Sequence, residues 1–404
     1  MNVLFVSDVS IKNVIGGAER VLYEKSTGLR KRGYTVRVFT RRLPVHVNGQ
    51  ESIDGVEEWR YDVDTTSGLS YLRSTLVNGR KLFDDLQGRF AFQCINFHQP
   101  FSALSVLRSP LSRKIKKIYT CHSLSFEEYR SRNRTPRHFI GKMGYFLNVQ
   151  MRKYIEGRCL REAQRITVES LFTLEKLQRA YGISPEKVTV VPGGVDLGRF
   201  GNSGDKAAIR QRLHVPTDRF VLFTVRNLVA RMGLDSLIRA MRDVVRDCRD
   251  VLLVIGGEGP LREELLSLVA EMNLEKHVSL VGFIPEGDLP DYYRMADIFV
   301  LPTLELEGFG LVTLEAMASA VPVLGTPVGG TVEILRRFDP ACLFADTKPG
   351  SMAVLIIEKY RAFKNQPALY RDMSIRCRSF VEDNYSWENN INRMEGIIRD
   401  LLNN

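Results

Sequence analysis

At 404 residues the chain is longer than one hydrophobic core usually supports, so two domains are expected. Its 44% hydrophobic and 26% charged residues are the balance of a globular protein, and no apolar run approaches the roughly 20 residues that span a bilayer. The net charge of +10 is uneven: residues 1–195 hold 32 Lys+Arg against 18 Asp+Glu, and residues 196–404 hold 25 against 29. A basic first half suits an anionic partner such as membrane phospholipid, a polyprenyl diphosphate or nucleic acid. Solubility charge on exposed helices is the plainer alternative. The start, MNVLFVSDVS, carries neither a basic leader nor a small-residue cleavage site, which argues against a signal peptide. Six scattered cysteines without a C-x-x-C pair suit free thiols in a reducing cytoplasm and argue against structural zinc.

In chain order, Asn2 to Val6 reads as a buried strand, followed by a loop ending Ile15-Gly16-Gly17 and a helix to about Arg32, closed by Gly33. The glycine pair lets backbone approach a ligand, but G-x-G-x-x-G is absent, so this is no dinucleotide fingerprint. Tyr34 to Thr40 is the next strand, and residues 41–70 read as polar and irregular, with no hairpin signal. Within them, Asp62-Val63-Asp64 has the metal-holding Asp-x-Asp form, yet no Gly-rich loop lies beside it; it reads as solvated strand-edge charge, and no metal is expected.

Strands over Phe92–His98 and Ile115–His122 each end in histidine. Strand carboxyl ends line the ligand crevice of an open parallel sheet, so both histidines are placed to meet a substrate or to satisfy the structure around them. A basic loop, 130–137, leads to a long helix from about Phe139 to Ala163 that mixes Phe139, Ile140, Met143 and Phe146 with Lys142, Arg152 and Lys153. Such a surface lies on an anionic leaflet or packs in a core with its cations reaching water. Strands Arg165–Glu169 and Val188–Val191 end the first half at a Pro-Gly-Gly break, and 197–217 reads as a linker.

The second half restarts with strand Phe220–Val225, then Arg226-Asn227-Leu228-Val229-Ala230-Arg231-Met232-Gly233. Two arginines at a strand end suit a diphosphate, which they grip bidentately. Leu252–Ile255 runs into a Gly-rich turn, and Val278 to Val281 runs into Gly282-Phe283-Ile284. Asp297–Leu301 is a buried-type strand feeding a loop, Glu307-Gly308-Phe309-Gly310, into a helix Leu311–Ala318. This puts free backbone N–H groups and a positive dipole end at the strand's carboxyl edge, an anion site. Glu307 lies in the loop and Glu315 about two turns further on. One can meet a sugar while the other reaches a ribose, or both are ordinary solvated carboxylates.

Glu307-x7-Glu315 within EGFGLVTLEA, followed by VPVLGTPVGGTVEIL, resembles the retaining nucleotide-sugar glycosyltransferases of family 4. The resemblance extends, more weakly, over nearly the whole chain. It implies an α/β fold of two Rossmann-like domains with parallel sheets facing across a cleft (GT-B). Residues 1–195 would bind the acceptor and 196–385 the nucleotide sugar, with a last helix, about 386–402, packing back on the first domain.

The resemblance also implies site residues. Gly16 and Gly17 lie at the donor diphosphate, Phe283 and Ile284 at the base, Glu315 at the ribose, and Gly310, Leu311 and Val312 at the phosphates. Glu307 and His122 meet the transferred sugar, and Arg226 and Arg231 hold the diphosphate, with Glu307, His122 and Arg231 as the catalytic set. The chain departs from the family where Asn227 and Met232 replace the usual Arg and Lys. The implied activity is metal-independent and cofactor-free sugar transfer from a nucleoside-diphosphate sugar to a glycan or lipid-linked acceptor, for cell-surface polysaccharide or glycolipid. It would take place in the cytoplasm, on the anionic inner face of the membrane. An epimerase of the same fold and a basic nucleic-acid-binding protein are the alternatives; the latter leaves the two glutamates without a purpose.

Overall fold

The computed structural model describes residues 1–12, 16–133, 136, 138–201 and 204–403. Ile15 of the first glycine loop, and Arg134, Thr135 and Arg137 of the basic loop, lie outside the described residues. The chain divides into two compact units, Met1–Gly193 with Trp387–Asn404, and Gly194–Ser386.

The first unit carries strands β1 (Asn2–Val6), β2 (Thr35–Arg41), β3 (Gln50–Ile53), β4 (Val56–Tyr61), β5 (Cys94–Phe97), β6 (Lys116–Cys121), β7 (Arg165–Val168) and β8 (Val188–Val190). They form one sheet in the order β3-β4-β2-β1-β5-β6-β7-β8, parallel except for β3. Val3, Leu4, Phe5 and Val6 are all fully buried, as an apolar run must be in a central strand covered on both faces. The second unit has strands β9 (Phe220–Val225), β10 (Val251–Gly256), β11 (Val278–Gly282), β12 (Ile298–Leu301) and β13 (Val323–Gly325), all parallel in the order β11-β10-β9-β12-β13. Each unit is thus an α/β layer structure with its own core.

The stretch 41–70, expected to be irregular, instead contains the β3–β4 hairpin. Its turn is Asp54-Gly55, with φ of 47° and 77°, the left-handed pair that matches the twist of a two-residue hairpin. A hairpin signal was therefore present in the sequence. Asp62 lies just past β4, largely exposed and paired with Arg42 at 3.1 Å; Asp64 accepts from the amide and hydroxyl of Thr66 in a local turn.

The last helix, Trp387–Asn403, belongs to the first unit and packs on the helix Gly17–Lys31. A Cβ on Gly28 would lie 2.1 Å from Ile391, so the glycine lets the two helices meet. Arg32 pairs with Glu395 at 2.8 Å, and Asn390 Nδ2 donates to the Pro192 carbonyl at 2.6 Å.

The helix Phe139–Glu162 differs between its two halves. Val149, Ile155, Cys159 and Leu160 are core, whereas Phe139, Ile140, Met143, Phe146 and Leu147 are exposed along one helical face. Among the described residues, no helix is long and apolar enough to cross a membrane.

Candidate active site

In the second unit the strand carboxyl ends bring Arg226, Thr303 and Glu307 into contact, although they are far apart in sequence. Arg226 follows β9, and Thr303 and Glu307 follow β12. Arg226 Nη2 donates to Glu307 Oε2 in a short ion pair and to the Thr303 hydroxyl at 3.1 Å, and that hydroxyl donates to Glu307 at 3.1 Å. Both charged side chains are buried, and Arg226 Nε has no partner among the described residues. A buried pair of this kind holds its members in one geometry, because separating them would leave a charge without water.

The loop bearing Glu307 is held mainly through backbone. Leu306 has a φ of 57°, costly for a branched side chain, and its carbonyl accepts from Arg231 Nη1 at 3.1 Å. Leu304 N–H donates to the Arg231 carbonyl at 2.8 Å, and Gly330 N–H donates to the Glu307 carbonyl at 2.9 Å. Gly329 has φ 71°, and a Cβ there would lie 2.1 Å from the Glu307 carbonyl. Gly310, with φ 93°, opens the helix Leu311–Ala318, and a Cβ on it would meet the Thr331 hydroxyl at 2.2 Å. The amides of Leu311 and Val312 find no acceptor among the described residues, which leaves two donors at the positive end of that helix.

Glu315 accepts a 2.7 Å hydrogen bond from Tyr293, whose ring is fully buried against Phe223 and Phe299. Burial, and then the neighbouring Glu315, push the Tyr293 hydroxyl well up, so it stays a donor. Phe283 is exposed at the end of β11, whereas the Ile284 side chain is buried beside Gly256. Of the two departures, Met232 is buried in the core and Asn227 is exposed. Arg231 therefore stands beside the loop as its clamp, and Arg226 as the partner of Glu307.

The first unit gathers a second set of groups at the carboxyl edge of its sheet. Asn96 Nδ2 lies 3.1 Å from His98 Nε2, His98 Nδ1 lies 3.0 Å from His122 Nε2, and His122 Nδ1 lies 3.3 Å from Glu169 Oε1. One proton arrangement satisfies the whole chain. Glu169 accepts from His122 Nδ1–H, His122 Nε2 accepts from His98 Nδ1–H, and His98 Nε2 accepts from Asn96. Burial drives the His98 pKa well below its ordinary value, in keeping with that neutral form. Both nitrogens of His122 are thus committed to protein partners. What it offers the neighbouring pocket is its ring.

Lys25 is buried and its Nζ has no hydrogen-bond partner among the described residues; burial lowers its pKa to about 8, against the attraction of Glu169. Gly16 and Gly17 sit at the start of the helix Gly17–Lys31, where a Cβ on Gly16 would lie 2.8 Å from the Glu19 carboxylate. Thr303, Tyr293, Glu169 and Lys25 were not singled out from sequence. Glu169 ends β7 as the histidines end β5 and β6, so the same strand-end rule could have found it.

Comparison with known proteins agrees with this architecture. The family model "Glycosyltransferase Family 4" matches residues 15–199, and "Glycosyl transferases group 1" matches residues 205–375. A D-inositol 3-phosphate glycosyltransferase of Kineococcus radiotolerans is 29% identical over 344 residues, 78% of this chain and 74% of that protein. A GDP-mannose-dependent alpha-(1-6)-phosphatidylinositol monomannoside mannosyltransferase of Mycolicibacterium smegmatis is 30% identical over 232 residues, 56% of this chain. The chain spans 59% of the length of that relative.

Among solved structures, a sucrose-phosphate synthase from Thermosynechococcus elongatus superposes with a TM-score of 0.81 at 21% identity, covering 99% of both chains. Anabaena HepE in complex with UDP and glucose does so with a TM-score of 0.77 at 17% identity, covering 99% of this chain and 100% of that one. The two adjoining family models and the shared fold lead to one conclusion: the chain belongs to the family 4 and group 1 glycosyltransferases of GT-B architecture.

Proposed function

We propose that the protein is a retaining, metal-independent glycosyltransferase that takes its sugar from a nucleoside-diphosphate donor bound in the second unit. The observation that carries this reading is the buried Arg226–Thr303–Glu307 triad beside the unpartnered amides of Leu311 and Val312. A carboxylate fixed next to permanent positive charge and helix-end donors suits one ligand part that develops positive charge and another that leaves as an anion.

In this reading Glu307 holds the sugar hydroxyls and stabilises positive charge at the anomeric carbon. Arg226, Arg231, Gly310 and the Leu311 and Val312 amides take the diphosphate. Glu315, oriented by Tyr293, accepts from the ribose, and exposed Phe283, with Ile284 beside it, meets the base. The anomeric C–O bond to phosphate breaks as the acceptor oxygen bonds the same face, and the acceptor's proton passes to the departing phosphate oxygen. Charge neutralisation by guanidinium and amide groups replaces a divalent cation in this scheme. The first-unit pocket beside His122 takes the acceptor.

A lipid-linked or glycan acceptor in cell-surface polysaccharide or glycolipid synthesis fits the relatives, whose names include phosphatidylinositol and inositol phosphate acceptors. Exposed Phe139, Ile140, Met143, Phe146 and Leu147, with Lys142 among them, support attachment to an anionic inner leaflet from the cytoplasm. Flotation with anionic vesicles tests this: Phe139→Ser with Phe146→Ser should leave the protein in the aqueous fraction. Retention of that variant on vesicles contradicts it. Transfer is tested by incubating GDP-mannose or UDP-glucose with and without acceptor lipid. Product should require both, retain the anomeric configuration and survive chelation. Rearrangement of the donor alone would favour an epimerase.

A further inference from the structure

A groove of about 640 Å³ runs along the outer face of the helix Gly68–Phe90 in the first unit, with Leu69, Leu72 and Leu76 as its apolar lining and Arg73, Arg80 and Arg108 among the cations beside them. We propose that this groove docks an acidic amphipathic helix of a partner protein. An apolar ridge of the partner seats on the leucines, and carboxylates two turns apart meet Arg73 and Arg80.

The pattern comes from one helix face. Positions 69, 72 and 76 fall on one stripe of a 3.6-residue helix, and 73 and 80 fall on the stripe beside it. Leu72 and Leu76 are half-buried and pack on the core, which fixes them, whereas Leu69 is 83% exposed. The groove is built within the unit itself. Gly79 lets the helix Pro100–Leu107 come close, since a Cβ there would lie 2.5 Å from the Ser105 hydroxyl. Arg108, at the end of that second helix, lines the groove from its own side. Ser109 donates a short hydrogen bond to Asp84, which ties the two segments at one end.

Charge identifies the occupant. Among the described residues lining the groove, Asp84 is the one carboxylate, and it is engaged by Ser109 and, at 3.4 Å, by Arg80 Nε. The side chains of Arg73, Lys81 and Arg108 make no hydrogen bond or ion pair among the described residues. Arg73 and Arg80 stand about 10 Å apart along the helix. A single lipid headgroup reaches one of them and leaves the other. A helix with carboxylates at the same spacing meets both, and guanidinium forks suit carboxylates. A nucleic-acid strand would follow the cations but lay its phosphates over bare leucine. The same face of a second copy would set cation against cation. An acidic amphipathic helix matches the leucines and the arginines together, as helix-in-groove recognition requires.

Fluorescence anisotropy with the full chain tests this, using three synthetic peptides. One is helical, with leucines spaced i, i+3, i+7 and glutamates two turns apart; the second has lysine for each glutamate; the third is a scramble of the first. The acidic peptide should bind about tenfold or more tightly than either control, and more weakly as salt rises. Arg73→Glu with Arg80→Glu should lower its affinity about tenfold or more, and Leu69→Ser about fivefold. Both variants should melt as wild type does and keep nucleotide binding, which separates this surface from the donor site. Equal binding of the three peptides, or unchanged affinity in the folded double variant, overturns the proposal. Two measurements test the rival occupants. Loss of retention on anionic vesicles by Leu69→Ser, with Phe139 and Phe146 intact, would give the groove to lipid. A dimer in sedimentation that dissociates in the double variant would give it to a second copy. Either result overturns the reading as a partner-protein site.

Discussion

The two candidate sites are built from different materials. In the second unit the site is largely backbone: glycines at 310 and 329 where no Cβ fits, free helix amides, and a loop pinned through the Leu306 and Glu307 carbonyls. In the first unit it is side chain: Arg41 and Arg152 on aromatic rings, a His–His–Glu chain, and buried Lys25 and Glu156. A backbone site imposes glycine and spacing on the sequence and tolerates little change. A side-chain site can be rebuilt for another ligand on the same sheet.

The sharpest way to break that contrast is Glu307→Gln. Losing the carboxylate proposed to face the anomeric carbon should lower turnover about 10²–10³-fold, the range for removing one preorganised electrostatic group. It also leaves Arg226 buried without its counter-charge, so a drop in melting temperature should accompany it. Steady-state turnover at saturating donor, alongside a thermal melt, reads both. Turnover within tenfold of wild type would remove Glu307 from the chemistry.

Next in size are pH effects confined to the first unit. Lys25, facing Glu169 and His98, is held at about 8 against an ordinary 10.5. The unfolded chain therefore binds more protons between pH 8 and 10.5, and this group alone makes stability rise with pH across that window. Lys25→Met should stabilise the chain at pH 7 by on the order of 1–3 kcal/mol, a gain that fades toward pH 10.5. Glu156 is shifted the opposite way, raised by burial to about 7 from 4.5 despite hydrogen bonds from Tyr181, Ser125 and Tyr119. The folded state keeps that proton longer, so stability should fall as pH climbs from 4.5 to 7, and Glu156→Gln should flatten the fall. Urea melts at several pH values check both; slopes of the opposite sign would show that these groups are not buried as described.

Smaller still is the effect of Gly329→Ala, which presses a methyl group onto the Glu307 carbonyl at a left-handed backbone position. It should weaken nucleotide binding and lower stability by about 1–3 kcal/mol. Gly350→Ala, where nothing lies within 4 Å, should change neither. Tyr293→Phe, which removes one hydrogen bond to Glu315, should cost about 1 kcal/mol of nucleotide affinity. Equal effects of the two glycine substitutions on titrations and melts would deny the second unit its backbone-built character.

Much of the second-unit site was legible, because loops that need glycine announce themselves: Glu307, Gly310 and Glu315 stand in one short, spaced stretch. The Arg226–Glu307 contact was not legible, since only the sheet order brings the ends of β9 and β12 together. The substitution of Met232 reads differently once its side chain is seen in the core. In the first unit the strand-end histidines were visible, but their shared chain to Glu169 depends on three strands in register. Arg73 and Arg80 gave no signal, because arginines on a mixed helix look alike whether they meet solvent or line a groove. Asp54-Gly55 did give one, and its hairpin shows how a polar stretch can hide an edge strand.

The most direct measurement is titration of UDP, GDP and ADP into wild type and Glu315→Ala, with and without magnesium. One nucleoside diphosphate should bind wild type best, bind equally with and without magnesium, and weaken about tenfold in the variant, as losing a charged acceptor for the ribose requires. Binding of none of them by a folded wild-type chain, or binding indifferent to Glu315, would contradict a donor site in the second unit.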